Sequence, residues 1–298
     1  MNNRIKIMPD SASDIPAEQE QEYGIKILPF PVTVGDDGYL ERVDFTNEEF
    51  YDILLSAPKI PTTSQITMTQ FYDEFKAVRA EGYRELIYVS INGGGSNTYA
   101  SACMARDRLY EKHPEFREDF TIHLVDSKTY CSAYGYPVVE AAKKAARGAS
   151  STEILAFLED WFDSVEIYLA PYTLEFAKKS GRIPCAAAFV GELIGLKPII
   201  AMIDGKTKIL EKVRGDKAVV PARLKRACDS AVPETPYLVV KGMLEPEAQE
   251  LIDRAKKQFG REPASVCKAG AAITINAGPK IVALIVKGRN RRHLAQGE

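Results

Sequence analysis

Apolar residues recur along this chain at two different periods, and the change between them outlines the elements. Ile5 and Ile7 alternate with polar neighbours and predict a short first strand. Pro16 suits a first helical turn and Gly24 a helix end, so a short helix is expected between them. The run from Ile25 to Val34 reads as a second strand, which Pro29 and Pro31 push toward a sheet edge. Asp36-Asp37-Gly38 reads as a turn. Thr46 with Glu49, and Thr67 with Gln70, have capping-box spacing. Each precedes an apolar stripe of helical period: Phe50, Ile53 and Leu54, then Phe71, Phe75 and Val78, closed by Gly82. Glu85 to Ile91 and Thr121 to Val125 are strand-like runs. A helix is expected after each, from about Thr98 to Lys112 and from about Tyr134 to Arg147.

This strand–loop–helix rhythm predicts an α/β fold, with an N-terminal mostly parallel sheet covered by helices on both faces. Gly148 and Ser150-Ser151 mark a seam, and Ser150 with Glu153 caps the next helix. From Val165 the rhythm changes. Pro198 to Ile203 and Thr207 to Val213 flank Asp204-Gly205-Lys206 and predict a β-hairpin. Tyr237 to Lys241, Ser265 to Lys268 and Ile281 to Lys287 add strands, with helices near Lys217 to Cys228 and Pro246 to Phe259. The expected organisation is an α/β domain over 1–163 and an α+β domain with antiparallel pairing over 164–298.

Four polar loops stand where strands hand over to helices: Asp10 to Asp14, Pro61 to Gln65, Asn92 to Asn97 and Asp126 to Thr129. In an open α/β sheet such loops converge on one crevice. Hydroxyls and backbone N–H groups there suit an anionic head group. Composition agrees with a globular binder. The 298 residues carry a formal net charge of −2, which gives no basic excess for nucleic acid. Apolar runs such as Ile281 to Val286 are too short to span a bilayer, and the N-terminus lacks a signal-peptide core. A cytoplasmic location is therefore expected. The five cysteines are scattered, with no C-x-x-C, and read as free thiols. Three histidines at unrelated spacings, His113, His123 and His293, argue against a structural zinc site or a histidine triad.

Asn92-Gly93-Gly94-Gly95-Ser96-Asn97 demands close backbone approach or positive φ. It is neither a dinucleotide fingerprint nor a Walker A loop. An anion nest with Ser96 or Asn97 as helix cap remains, against a plain capped turn. Asp10 and Asp14 read either as an acid pair or magnesium site, or, for Asp14, as the cap of the helix after Pro16. Arg214-Gly215-Asp216 reads as a turn plus helix cap, and Arg289, Arg291 and Arg292 as a solvated tail.

Taken in order, these loops resemble the DegV family, whose characterised members are the fatty-acid-binding subunits of bacterial fatty acid kinase. Asp10-Ser11-Ala12-Ser13-Asp14-Ile15-Pro16 resembles its opening motif, and Thr63-Ser64-Gln65 its Thr-Ser-Gln loop. Ser96-Asn97-Thr98-Tyr99-Ala100-Ser101-Ala102, Val125-Asp126-Ser127-Lys128 and Ser180-Gly181-Arg182-Ile183 resemble three further signatures. Gly195 to Ile200 with Asp204-Gly205-Lys206 resembles its Lys-Pro hairpin. The resemblance implies a buried long-chain fatty acid, such as palmitate, stearate or oleate, with no cofactor and no metal. It implies a carboxylate held by Thr63 and Ser96, with Thr62, Gly94 and Gly95 beside them. Asn276 stands where the family carries a histidine, and Lys280 adds an unusual charge. The resemblance also implies a separate kinase (a FakA-like catalytic subunit) that makes the acyl phosphate, so this chain carries lipid and is no enzyme itself. Arg182 is read as a contact to that partner or as part of an internal salt bridge. The alternatives are a lipid-sensing regulatory module, or an enzyme of phosphoryl or acyl transfer using Asp10, Asp14 and the Gly loop.

Overall fold

The computed structural model describes residues 4–189 and 195–289. Its strands are β1 (Ile5–Pro9), β2 (Pro31–Val34), β3 (Asp37–Leu40), β4 (Thr62–Thr63), β5 (Glu85–Ser90), β6 (Thr121–Asp126), β7 (Val165–Pro171), β8 (Leu196–Ile203), β9 (Lys206–Arg214), β10 (Tyr237–Lys241), β11 (Ser265–Lys268) and β12 (Ile281–Lys287). Its helices are α1 (Ala17–Glu22), α2 (Asn47–Ser56), α3 (Met68–Ala80), α4 (Thr98–Lys112), α5 (Phe116–Asp119), α6 (Ser132–Ala146), α7 (Ser151–Phe162), α8 (Glu175–Ser180), α9 (Pro184–Ala187), α10 (Val219–Ser230), α11 (Glu245–Phe259) and α12 (Ala271–Ala277).

β1, β5 and β6 form the expected parallel sheet in the order β1-β5-β6. All three capping boxes are present. Thr46, Thr67 and Ser150 each accept from the backbone three residues on, and Glu49, Gln70 and Glu153 bond back to the cap. Two orphan N–H groups per helix are thereby satisfied. Phe71, Phe75 and Val78 of α3 are fully buried, and Phe71 meets Tyr88 edge-on at 4.9 Å between ring centres.

A second sheet has the order β11-β10-β12-β7-β8-β9, with only β10 and β11 parallel. Its side chains alternate between two cores. Tyr168, Val239, Val282, Leu284 and Val286 pack with Val220 and Ala227 of α10 and Leu251 and Ala255 of α11. Ile167, Leu169, Ile200, Val240, Ala283 and Ile285 face the other way, into the core shared with the parallel sheet. The hairpin at β8 and β9 turns through Asp204 (φ 50°) and Gly205 (φ 68°). Both central residues lie at positive φ, as a type I′ turn requires.

Four expectations need correction. Ile25 to Val34 is not one strand. Residues 25–28 run beside β1, with Leu28 N–H donating to Pro9 O, while β2 is the middle strand of a separate sheet ordered β3-β2-β4. Pro29 and Pro31 lack the N–H groups that a continuous ladder needs. The expected turn at Asp36-Asp37-Gly38 falls earlier, at Gly35 (φ 63°) and Asp36, and β3 already begins at Asp37. Asp14 does not cap α1; Pro16 occupies the cap position without a side-chain bond. Arg214-Gly215-Asp216 turns through Gly215 (φ 76°), but Asp216 opens a 3-10 turn and caps nothing. Arg291, Arg292 and His293 lie outside the described residues.

Candidate ligand-binding site

A cavity of about 280 Å³ opens between the parallel sheet's loops and the inward face of the six-stranded sheet. Its apolar wall follows from strand register. Met202 pairs with Ile167, and Leu169 with Ala283, which pairs in turn with Val240. These residues therefore stand in adjacent rows on one face. Ile273 and Ala277 of α12, with Phe30 and Ile91, extend the apolar lining.

The other end is polar. Thr63, Gly94, Gly95, Ser96, Asn276 and Arg182 all line the cavity, together with Ser64, Gln65 and Tyr130. The structure thus brings together six of the seven site residues expected from sequence. Thr62 is exposed in β4 and stands outside the lining. Lys280 is exposed and outside it too.

The Gly loop differs from the expected nest of free N–H groups. Gly93 N–H donates to Asp126 Oδ1 (2.9 Å) and Gly94 N–H to Asn92 Oδ1 (3.1 Å). Gly95 and Ser96 N–H both donate to Asn92 O. None of the three glycines has positive φ. Two of them are needed for space: a Cβ on Gly93 would lie 2.8 Å from Asp126 Oδ2, and one on Gly95 2.3 Å from Tyr130 Oη. Asn97 takes the cap position of α4 without a side-chain bond, and Ser96 Oγ instead accepts from Thr98 N–H and pairs with Thr98 Oγ1 at 2.9 Å. Thr63 Oγ1 makes no hydrogen bond among the described residues. Asn276 Nδ2 donates to Ala272 O at 2.7 Å. Arg182 is exposed, and its guanidinium donates to Ser180 O at 2.6 Å; among the described residues it has no ion pair.

Two residues of the cavity lining escape sequence reasoning. Tyr130 lines the polar end, and its hydroxyl accepts from Asn92 Nδ2 at 2.8 Å. Cys131 also lines the cavity, with φ 47°, a strained value for a non-glycine residue. Burial pushes its thiol well above the ordinary range, so it is not poised as a thiolate nucleophile.

The acid pair of the enzymatic alternative does not face this cavity. Asp10 is fully buried and accepts from Tyr134 Oη (2.5 Å), Tyr88 Oη (3.1 Å) and Ile91 N–H (2.9 Å). It ties β1, β5 and α6 together. Asp14 Oδ1 accepts from Gly270 N–H (3.0 Å), and Glu41 Oε1 from Ala272 N–H (2.9 Å). Two carboxyls thus hold the start of α12, where the helix dipole favours them. Gly270 leaves them room, since a Cβ there would lie 2.7 Å from Asp14 Oδ1 and 2.8 Å from Glu41 Oε1. Among the described residues no three His, Cys, Asp or Glu groups gather as metal ligands.

Burial raises Asp10 to about 6, against the hydrogen bonds it accepts. Burial and the neighbouring Glu41 raise Asp14 well above its ordinary value, and burial raises Glu41. A carboxyl whose folded pKa is raised stabilises the fold fully below its unfolded pKa and loses that contribution as pH rises through the folded one. For Asp10 the loss accumulates between its ordinary value of 3.8 and about 6, and is complete above that. Going from about pH 8 to about pH 5.5 is therefore expected to stabilise the protein by about 1 kcal/mol through Asp10, with Asp14 and Glu41 adding in the same direction. Glu49, Glu153 and Asp119 are lowered and act below that window. Thermal melts across the range check this. A melting temperature that falls steadily as pH drops from 8 to 5.5 would contradict it.

A family model described as uncharacterised proteins of the DegV family matches residues 4–288. A DegV domain-containing protein of Clostridium perfringens is 32% identical over 290 residues, spanning 94% of this chain and 97% of the relative. A DegV family protein from Thermus thermophilus, described as fatty acid binding, superimposes with a TM-score of 0.80 at 26% identity, over 96% of this chain and 99% of its own. A stearic-acid-binding protein from Eubacterium ventriosum shares the fold at 22% identity, with a TM-score of 0.82 over 98% of this chain and 99% of its own. Among the described residues no helix is long and apolar enough to cross a membrane.

Proposed function

The chain belongs to the DegV family, and on that premise we propose that it binds a long-chain fatty acid and presents its carboxylate to a partner kinase for acyl phosphate formation. One observation carries the reading. A row of inward-facing sheet residues, Ile167, Leu169, Met202, Val240 and Ala283, leads to an end lined by Thr63 and Ser96 hydroxyls. The fatty acid binding described for the Thermus thermophilus relative supports it. An acyl chain of about fifteen methylenes grosses roughly 12 kcal/mol on burial, at about 0.8 kcal/mol each. Ordering the chain and immobilising the ligand cancel much of that. A buried carboxylate without partners would cost more than remains, so hydroxyl donors are required. Thr63, with no competing bond, is the principal donor. Ser96 contributes its hydroxyl hydrogen, and Asn276 its second amide hydrogen. Catalysis lies in the kinase, and this chain acts in the cytoplasm as the carrier.

Arg182 then serves the partner. It is exposed at the cavity's polar end, and its planar fork suits a phosphate or a carboxylate. Arg182→Ala is expected to keep lipid affinity and melting temperature within error, yet to stop acyl phosphate formation when the cognate kinase and ATP are supplied. Full turnover by the variant would rule out the partner role, and loss of lipid would assign Arg182 to the head group.

A further inference from the structure

A second cavity, of about 140 Å³, lies between the segment leading into α1, the first turns of α6 and the start of β11. Ser13, Asp14 and Ser132 line it. Their exposures are 0%, 4% and 3%, yet Ser13 Oγ and Asp14 Oδ2 have no hydrogen-bond partner, and Ser132 Oγ has only the weakly bonding Cys267 thiol beside it. Three buried oxygens so poorly satisfied on one small cavity are unusual, because buried polar groups are ordinarily paired. Gly135 closes the wall, since a Cβ there would lie 2.1 Å from Ser13 O.

The charges around the cavity define what fits. Asp14 stands beside Glu41 and Asp10, and Arg42 is the cation near it. Arg42 is already committed, with Nη1 donating to Ile15 O and Nη2 paired with Glu20 at 2.7 Å. At the rim, Lys143 is paired with Glu140 at 2.8 Å. An anion would face Asp14. Water could satisfy the hydroxyls, and without a countercharge burial favours the protonated form of Asp14; only a cation leaves Asp14 ionised beside two other acids. The donors are all oxygen, and hard cations prefer oxygen. Only one of them is a carboxylate, which is too little negative charge to favour a dehydrated divalent ion. We propose that Ser13, Asp14 and Ser132 form a site for a monovalent alkali cation. The site bears on the first cavity. The other oxygen of Asp14 holds Gly270 at the head of α12, and α12 supplies Asn276 and Ala277 to the ligand cavity. A bound cation keeps Asp14 ionised and that bond in place.

The test uses the full chain dialysed into choline chloride, then melted in potassium, sodium or choline chloride at equal ionic strength. Potassium or sodium is expected to raise the melting temperature by roughly 2 °C per tenfold concentration above the dissociation constant. Asp14→Asn and Ser132→Ala are each expected to flatten the response. Should Asp14→Asn fail to fold, Ser132→Ala decides the point. In crystals soaked with thallium(I), an anomalous peak is expected among the three oxygens. Equal melting in choline and potassium, a response only to magnesium, an undiminished response in the variants, or no thallium peak would each overturn the assignment.

Discussion

Ala283→Phe is expected to lower fatty acid affinity about a hundredfold while the protein stays folded. Ala283 sits on β12 between Leu169 and Val240, and it lines the ligand cavity within the core that the two sheets share. A phenyl ring there fills space meant for the acyl chain, so it avoids most of the overpacking cost of a closed interior. If it displaces about four methylenes, the ligand loses roughly 3 kcal/mol, which is about a hundredfold in affinity. Calorimetric titration of delipidated protein with oleate measures this, and melting of the same sample checks the fold. Affinity equal to the parent would mean that the acyl chain runs elsewhere. The neighbouring position Val282 faces the α10 and α11 core. Val282→Phe is the matched control, and it should destabilise the fold instead.

Thr63→Val and Ser96→Ala carry the second large effect. Each is expected to weaken fatty acid binding by about 1.5 to 3 kcal/mol, because each leaves a charged acceptor short of a donor. The two should differ in their side effects. Thr63 Oγ1 bonds nothing among the described residues, so Thr63→Val should leave the ligand-free melting temperature unchanged. Ser96 Oγ bonds Thr98, so Ser96→Ala should also cost about 1 kcal/mol of stability through the α4 start. Full affinity in both variants would move the carboxylate away from these hydroxyls. If Ser96→Ala lost stability alone, its hydroxyl would be a helix-start device and not a ligand donor.

The elements that sequence made legible are those whose causes are local. The capping boxes at Thr46, Thr67 and Ser150 each close within three residues, and the Asp204-Gly205 turn carries its own φ requirement. What stayed hidden depends on distant partners. α12 has Gly270 at its start and no capping side chain of its own. It is held by Asp14 and Glu41, more than two hundred residues earlier, so no window around Ala271 could reveal it. The wall of the ligand cavity was hidden for a different reason. Ile167, Leu169 and Ala283 alternate with Tyr168 and Leu284, which are equally apolar and buried against other helices. A strand buried on both faces shows no alternation to read. The polar loops were visible as motifs, but the Gly loop's internal bonding was not. Asp126 and Asn92 take N–H groups that composition alone would assign to an anion. Tyr130 was missed because nothing in its own sequence neighbourhood distinguishes it from a core tyrosine.

The central claim is that one acyl chain occupies the cavity between the two sheets. Solvent extraction of the purified protein, followed by quantitative mass spectrometry, tests it most directly. The account predicts one long-chain fatty acid per chain, and its loss from the Ala283→Phe variant. Extracts without stoichiometric lipid, from protein that also fails to bind added palmitate or oleate, would contradict it.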